Sequence, residues 1–393
     1  MRQKVCLVKQ NMCRNMRIKD YIKNNPFRGM GVATSDSSTI ISSNNSRMKV
    51  YAAVGKSVSF PMDMDIIFGE KAERSRSSSS YMSLLSVPAD RLRHGLFWFM
   101  NLTETDARAL AVLRQTGDLL QARRLWEEGE QNMSALQNQL VCCLLKDSRS
   151  YSKAVQVAQR LYRQYGLELI QTISNGFNVI TPDELLPLFL EEIVAASDGD
   201  CLWWDKAVKR SGVKGIDALW TEAKATSLIV KIEQALNAAR SSECRSTEAH
   251  YDLAYSLMSQ TEPLLKSLKA LVDAHPVLLS RYTTIAESVG EFVLDNEIEY
   301  YMHTGWFPEK EEKSLVLERF CYRYATTFRF KDRCRCNINF TMHRKEDAPL
   351  FPNGTPDNML FESERKKRSA CINAILSALS KRNEDGGKKY EHM

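Results

Sequence analysis

Apolar residues recur along most of the chain at the three- and four-residue spacing of one helix face. The segment 133–145 has apolar side chains at Met133, Leu136, Leu140, Val141, Leu144 and Leu145. A similar period runs through 154–165, and the longest periodic runs are 218–240, 247–274 and 281–301. This spacing is typical of amphipathic helices rather than strands. We therefore predict an all-α fold.

Short polar signals predict where several of these helices begin and end. Thr103 followed by Asp106 resembles a capping pair, and Gly117 separates one helix from the next. Thr181 followed by Pro182 and Glu184 is a strong helix start, because each residue type suits its position in the first turn. Between 88 and 197 we therefore expect short helices joined by tight turns.

Changes in composition suggest eight segments. We predict a basic disordered arm at 1–19, a small helical head at 20–70, a Ser-rich linker at 71–87, a repeat-like domain of short helix hairpins at 88–197, a bundle of longer helices with a basic end at 198–345, a linker at 346–361, a basic amphipathic helix at 362–380 and a disordered tail at 381–393. The hairpin domain contains GDLLQARRLWEE, which looks like the second-helix start of a tetratricopeptide repeat. An irregular, solenoid-like helical array is expected there.

Composition and charge indicate a globular protein with a mild basic bias. The 393 residues are 44% hydrophobic and 26% charged, and the net charge is +6. A dedicated nucleic-acid binder is usually more basic than this. No apolar run approaches the roughly 18–20 residues of a membrane helix. The ten scattered cysteines are typical of reduced thiols, so we expect a cytoplasmic protein that makes no membrane contact.

Catalytic signatures are missing from the sequence. It contains no HExxH, no G-x-S-x-G frame and no GxxxxGK phosphate loop. Cys334 and Cys336, with Cys321 and His343 nearby, form the one cluster that could bind zinc, but CxC spacing is short for a tetrahedral site. We favour structural thiols over a metal site. The expectation is a protein that is not an enzyme and needs no cofactor.

The segment 319–345 interleaves basic and aromatic residues. It has eight Lys or Arg residues against one acid, and it could form two helices or a pair of strands. Basic side chains can neutralise phosphates, and aromatic rings can stack on bases. Helical periodicity alone also explains the aromatic residues as core. The candidate residues for nucleic-acid binding are Arg323, Arg329, Lys331, Arg333 and Arg335.

The segment 25–56 resembles a J-domain. Its matching features are an aromatic residue, a turn, a small polar cap and a helix, at Phe27, 30–32, 34–37 and 40–53. The larger pattern is similar to a family of uncharacterised bacterial proteins with a J-like start and a helical-repeat body. The matching pieces lie between about residues 22 and 340 and are NPFRGMGV, AAVGKSVSFPMDMD, DRLRHGLFWF, SALQNQLVCCLL and KDRCRCNI. The resemblance implies a small J-like helical head.

The chain departs from the J-domain pattern at its functional loop. A working J-domain carries His-Pro-Asp there, and this motif engages the seventy-kilodalton heat-shock chaperone. Here the loop has Phe60, Pro61 and Asp63, and no histidine precedes His94. The resemblance therefore implies a heat-shock chaperone as a partner, but the chain has no His-Pro-Asp motif to bind it. Gly29 also replaces a larger apolar residue of the pattern.

These observations predict a non-catalytic interaction scaffold or a co-chaperone-like adaptor. It would bind another protein through helical-repeat surfaces. The alternative is a helical protein that binds nucleic acid through 319–345, and a steep salt dependence of binding would identify it. A zinc-assisted enzyme is a further alternative, and stoichiometric metal in the purified protein would support it.

Overall fold

The computed structural model describes residues 18–71, 78–197, 201–303 and 308–346. All regular elements in these ranges are helices, so the predicted all-α class is confirmed. Most of the basic arm and nearly everything predicted beyond 346 lie outside the described residues. None of the described helices combines the length and apolar character that a membrane span requires.

The chain divides into two compact units, with the division between Ser227 and Leu228. Unit 1 contains α1 (Ile18–Lys23), α2 (Pro26–Met30), α3 (Ser38–Ala53), α4 (Asp65–Phe68), α5 (Ser78–Ser86), α6 (Pro88–Gly95), α7 (Glu104–Thr116), α8 (Leu119–Glu128), α9 (Met133–Lys146), α10 (Tyr151–Ile173), α11 (Leu185–Ala196) and α12 (Leu202–Ser211). Helix α13 (Ile216–Arg240) crosses the division, and unit 2 continues with α14 (Thr247–Ala274), α15 (Leu279–His303), α16 (Pro308–Tyr324) and α17 (Phe328–Glu346). Single 3₁₀ turns lie at Ser148–Ser150, Pro182–Glu184 and Pro276–Leu278.

Helix α9 lies at the centre of unit 1. All of its residues except Lys146 are buried, because α8 and α10 pack against it and the aromatic run 97–99 is also fully buried. One continuous core runs from Ile18 to Ala223. This core extends across the boundaries that the sequence suggested after residues 70 and 197. The solenoid-like arrangement of 88–197 stays a prediction.

The polar residues of the core are connected by one buried carboxylate. Asp106 Oδ1 accepts hydrogen bonds from Trp126 Nε1 (2.8 Å) and Asn138 Nδ2 (3.0 Å). Its Oδ2 accepts from the Ser134 hydroxyl (2.7 Å) and the Thr103 N–H (2.9 Å). The predicted capping pair of Thr103 and Asp106 is therefore confirmed. Asp106 also joins α7 to α8 and α9.

The Ser-rich segment requires a correction. A linker was predicted at 71–87, but residues 78–86 form α5. Leu85 is buried, and the Tyr81 ring lies so close to Gly29 that a Cβ at Gly29 would be 2.3 Å from Cε2 of the ring. A few apolar side chains therefore anchor a helix whose serines are typical of a loop. Tyr81 also occupies the space that seemed a packing loss at Gly29.

Unit 2 is a bundle of long helices. Helix α15 packs against α14 and α16, and α16 packs against α17. The two alternatives for 319–345 are decided in favour of two helices. Their junction is held by Glu287 Oε1, which accepts hydrogen bonds from the Thr327 N–H (2.6 Å) and the Thr326 hydroxyl (2.9 Å).

Candidate functional site

The J-like loop is folded against its own unit. Asp63 is buried, and its Oδ2 accepts from the Phe60 N–H (2.9 Å) and the Ser59 hydroxyl (3.2 Å). The Phe60 ring is also buried and lies against Gly31, which has φ +65°. Of the three candidate residues, only Pro61 is exposed. The loop therefore presents little side-chain surface to a partner.

A buried arginine fixes this loop from the inside. Arg28 Nε donates to the backbone oxygen of Asp63 (2.8 Å), and Nη2 donates to that of Glu70 (2.8 Å). Its guanidinium carbon lies 4.5 Å from the centroid of the Phe68 ring. These contacts tie α2 to residues 63–70 and give the loop a structural role.

Two of the predicted nucleic-acid-binding arginines lie beside carboxylates of neighbouring helices. Arg323 Nη1 is 2.6 Å from Glu262 Oε1, and Arg333 Nη2 is 2.8 Å from Asp295 Oδ1. A carboxylate at this distance offsets the charge that would attract a phosphate. The basic stretch in the sequence is therefore less positive in the folded unit.

The other three basic candidates differ from one another. Arg335 pairs with Asp332 on its own helix, Lys331 lies 5.2 Å from the Tyr322 ring centroid, and Arg329 is exposed. Three of the five candidates thus have a carboxylate partner. The structure places the five residues on α16 and α17, where carboxylates offset three of their positive charges.

The aromatic and cysteine residues of this segment are mainly core. Phe320, Tyr324 and Phe330 are buried, whereas Tyr322 and Phe328 are exposed. Cys321 Sγ donates to the backbone oxygen of Gly290 (3.3 Å), and burial raises the pKa of the Cys334 thiol to about 12. Within the described ranges, no group of three or more His, Cys, Asp or Glu side chains could hold a metal. The side chain of His343 lies outside the described part.

Helix α3 presents a different kind of surface. Only Ile41, Asn44 and Met48 of this helix are buried, and Asn44 Nδ2 donates to the Met30 backbone oxygen (3.0 Å). Every residue from 49 to 57 is exposed. The first part of α3 is therefore packed against the rest of unit 1, while the residues of its last turn are exposed.

The exposed side of α3 carries an apolar stripe. Its members are Ile40, Val50, Tyr51 and Val54, and Val50 and Val54 are each 64% exposed. At 3.6 residues per turn, Ile40, Val50 and Tyr51 fall within an arc of about 100°, and Val54 caps the C-terminal end of the helix. We call them the α3 stripe. Ile41 and Met48 of the same helix are buried, so its apolar side chains divide between a buried side and an exposed side.

The charged residues of the segment that carries the α3 stripe have one sign. No acidic residue occurs between 37 and 56, whereas Arg47 falls within the arc of the stripe, Lys56 follows it and Lys49 lies on the opposite side of α3. Exposed apolar side chains with a basic margin form a surface that can bind an apolar groove with acidic edges.

Comparisons with known proteins give no further guide to this site. No family model matches the chain, and no curated protein or solved structure matches it. Its function must therefore be inferred from the chemistry of its surfaces.

Proposed function

We propose that the chain is a non-catalytic adaptor that binds another protein through the α3 stripe. The observation that carries this proposal is the exposure of Val50, Tyr51 and Val54 along one side of a helix. Exposed apolar clusters on soluble folds often mark interaction sites. The geometry is suited to helix-in-groove recognition, in which apolar side chains of a helix fill a hydrophobic groove.

The stripe also suggests the chemistry of the partner. Arg47 and Lys56 would lie near the edges of the groove, so we expect carboxylates there. This contact differs from the helical-repeat surface that the sequence suggested. It does not require the J-like loop, in which Asp63 is buried.

The proposal is tested by comparing the proteins that the wild type and a variant of the α3 stripe capture. The full chain, immobilised at its C-terminus, captures proteins from nuclease-treated host extract, and mass spectrometry quantifies them. Val50→Asp with Val54→Asp should remove at least one stoichiometric partner, because two charges would have to enter the groove. Val277→Asp is the matched control, because Val277 is 85% exposed and belongs to unit 2.

A photo-crosslinking residue at Tyr51 provides the direct readout. The proposal requires that the same partner crosslinks at Tyr51 and disappears from the stripe variant. A partner retained equally by the wild type and the stripe variant would contradict it.

Nucleic-acid binding is the second candidate function. Tyr322 and Phe328 are exposed near Lys331 and Arg329, so bases could stack beside cations. The nuclease step separates this candidate from the first, since partners held through nucleic acid are lost. The ion pairs of Arg323 and Arg333 make it the weaker proposal.

A co-chaperone role is the narrower form of the adaptor proposal. It would require binding to a heat-shock chaperone without His-Pro-Asp. We expect no stimulation of chaperone ATP turnover, because Asp63 bonds within its own loop. A several-fold stimulation that disappears in Pro61→Ala would show that the loop engages the chaperone.

A further inference from the structure

A surface cavity of about 200 Å³ lies among α3, α5, α6 and the residues after α10. Its buried lining includes Ile41, Leu85, Arg91 and Ser174, and Ser42 is on its exposed edge. The lining therefore combines a cation, hydroxyl groups and apolar surface. None of the functions considered above uses this cavity.

Arg91 is the unusual member of this lining. It is only 1% exposed, and all its hydrogen-bond acceptors are backbone carbonyl oxygens. Nε donates to Ile173, and Nη2 donates to Asp36 (2.7 Å) and Thr34 (3.4 Å). Nη1 has no hydrogen-bond partner. A buried guanidinium thus lines the cavity, and the two N–H groups of its Nη1 are unused.

The charge of Arg91 also lacks a direct ion pair. The carboxylate of Asp36 acts electrostatically on Arg91, but its hydrogen bond is to the Ala33 N–H (2.8 Å). Burial lowers the pKa of Arg91 and raises the pKa of Asp36, so both charged forms are poorly solvated. A buried charge is costly unless it is paired, and the attraction of Asp36 offsets only part of the effect of burial on Arg91. An anion in the cavity would supply a further counter-charge.

We propose that this cavity binds a small organic anion. Its carboxylate or phosphate group would lie beside the Arg91 guanidinium and offset its charge, while a short apolar portion would lie against Ile41 and Leu85. The first turn of α3 strengthens this assignment, because Ser38 lines the cavity and the N-terminus of a helix favours negative charge. Asn175 Nδ2 holds the Ser38 hydroxyl at 2.5 Å.

The rival explanation is purely structural. Arg91 joins residues 34–36 to the end of α10, and this role alone could account for its burial. Replacing Arg91 would disrupt both roles, so the test uses a residue at the edge of the cavity. Ser42 is exposed and lines the cavity, whereas Ser43 is exposed on the same helix and does not line it.

Titration calorimetry of the full chain tests the proposal. The ligands are phosphate, acetate and butanoate, and chloride keeps the ionic strength constant. We expect saturable binding of at least one of these anions to the wild type. Ser42→Glu should weaken it by about tenfold or more, because its carboxylate would compete for Arg91. Ser43→Glu adds the same charge and should leave the affinity unchanged.

The three anions also identify the ligand class. Butanoate that binds roughly tenfold more tightly than acetate would indicate a carboxylate with an apolar tail, because two methylene groups would be buried. Phosphate that binds more tightly than both would indicate a phosphate ester. The absence of saturable binding by any of the three, or equal binding by wild type and Ser42→Glu, would overturn the proposal.

Discussion

A single carboxylate at Asp106 joins three helices of unit 1. It lies in α7 and accepts hydrogen bonds from Trp126 of α8 and from Ser134 and Asn138 of α9. Buried polar groups of this kind stabilise a fold only while every donor keeps its acceptor. The identity of this one side chain therefore affects the whole core.

Replacing Asp106 by Asn should lower the free energy of unfolding by about 3 kcal/mol. The amide of Asn keeps one acceptor oxygen. Its NH₂ group replaces the other oxygen, so two N–H donors would face the groups that donate to that oxygen in the wild type. Urea unfolding followed by circular dichroism measures the change. Asp118→Asn is the control, because Asp118 is a helix cap that Asn replaces well. Equal effects of the two substitutions would contradict the role given to Asp106.

His94 makes the stability of unit 1 dependent on pH. Burial lowers the pKa of His94 below its ordinary 6.5, although Glu192 and Asp90 act in the opposite direction. Below pH 6.5 the unfolded chain therefore takes up a proton that the folded chain binds more weakly. Stability should fall as the pH drops through this window towards the folded pKa.

His94→Gln should remove this part of the pH dependence. We expect the free energy of unfolding, measured in urea at a series of pH values, to fall less steeply below pH 6.5 in the variant. Above pH 6.5 the free energies of unfolding of the wild type and the variant should depend on pH in the same way. A His94 titration midpoint above 6.5 in the NMR spectrum of the folded protein would contradict the prediction.

At the scale of helices, the features that could be predicted from the sequence are those that depend on residues close together in the chain. The capping pairs at Thr103 and Thr181 are present, because a cap depends on residues three positions apart. Helix α5 was missed because Tyr81 is placed by Gly29, which lies far away in the sequence. The exposed side of α3 was missed for a similar reason, since periodicity does not say which part of a helix is covered.

The contact between α2 and α5 can be tested through Gly29 and Tyr81. Gly29→Ala should cost about 2 kcal/mol, because the new methyl group overlaps the Tyr81 ring. In a Tyr81→Ala background the same substitution should cost much less, since the overlapping ring is gone. A double-mutant cycle of unfolding free energies measures the difference. An additive cycle would contradict the close packing.

At the scale of the whole chain, ion pairs reduce the basic character that 319–345 has in the sequence. Glu262→Gln with Asp295→Asn should therefore expose Arg323 and Arg333 as free cations. We expect this double variant to bind a single-stranded oligonucleotide several-fold more tightly than the wild type, with a steeper salt dependence.

Fluorescence anisotropy over a range of salt concentrations checks this expectation. Glu243→Gln is the control, because it breaks the exposed ion pair with Arg245 and lies on neither α16 nor α17. Tight, strongly salt-dependent binding by the wild type itself would instead favour the nucleic-acid proposal.

No motif or periodicity in the sequence indicates the cavity at Arg91. An arginine in a short helix that begins Pro88-Ala89-Asp90 is usually exposed, and its charge suggests a solvated face. Two of the backbone oxygens that accept its hydrogen bonds belong to Ile173, 82 positions later, and to Asp36, 55 positions earlier. Only the tertiary fold brings these groups together, so periodicity and motifs could not predict the site.

The continuous core of unit 1 affects how this chain can fold during its synthesis. Helices α8, α9 and α10 have all been made at Ile173, yet the core includes residues as far as Ala223. Ribosomes add on the order of 5–20 residues per second, so about 50 further residues take roughly 3–10 s. For those seconds the nascent chain carries an apolar core without its last layer. Newly made chains are therefore most exposed to aggregation in this interval.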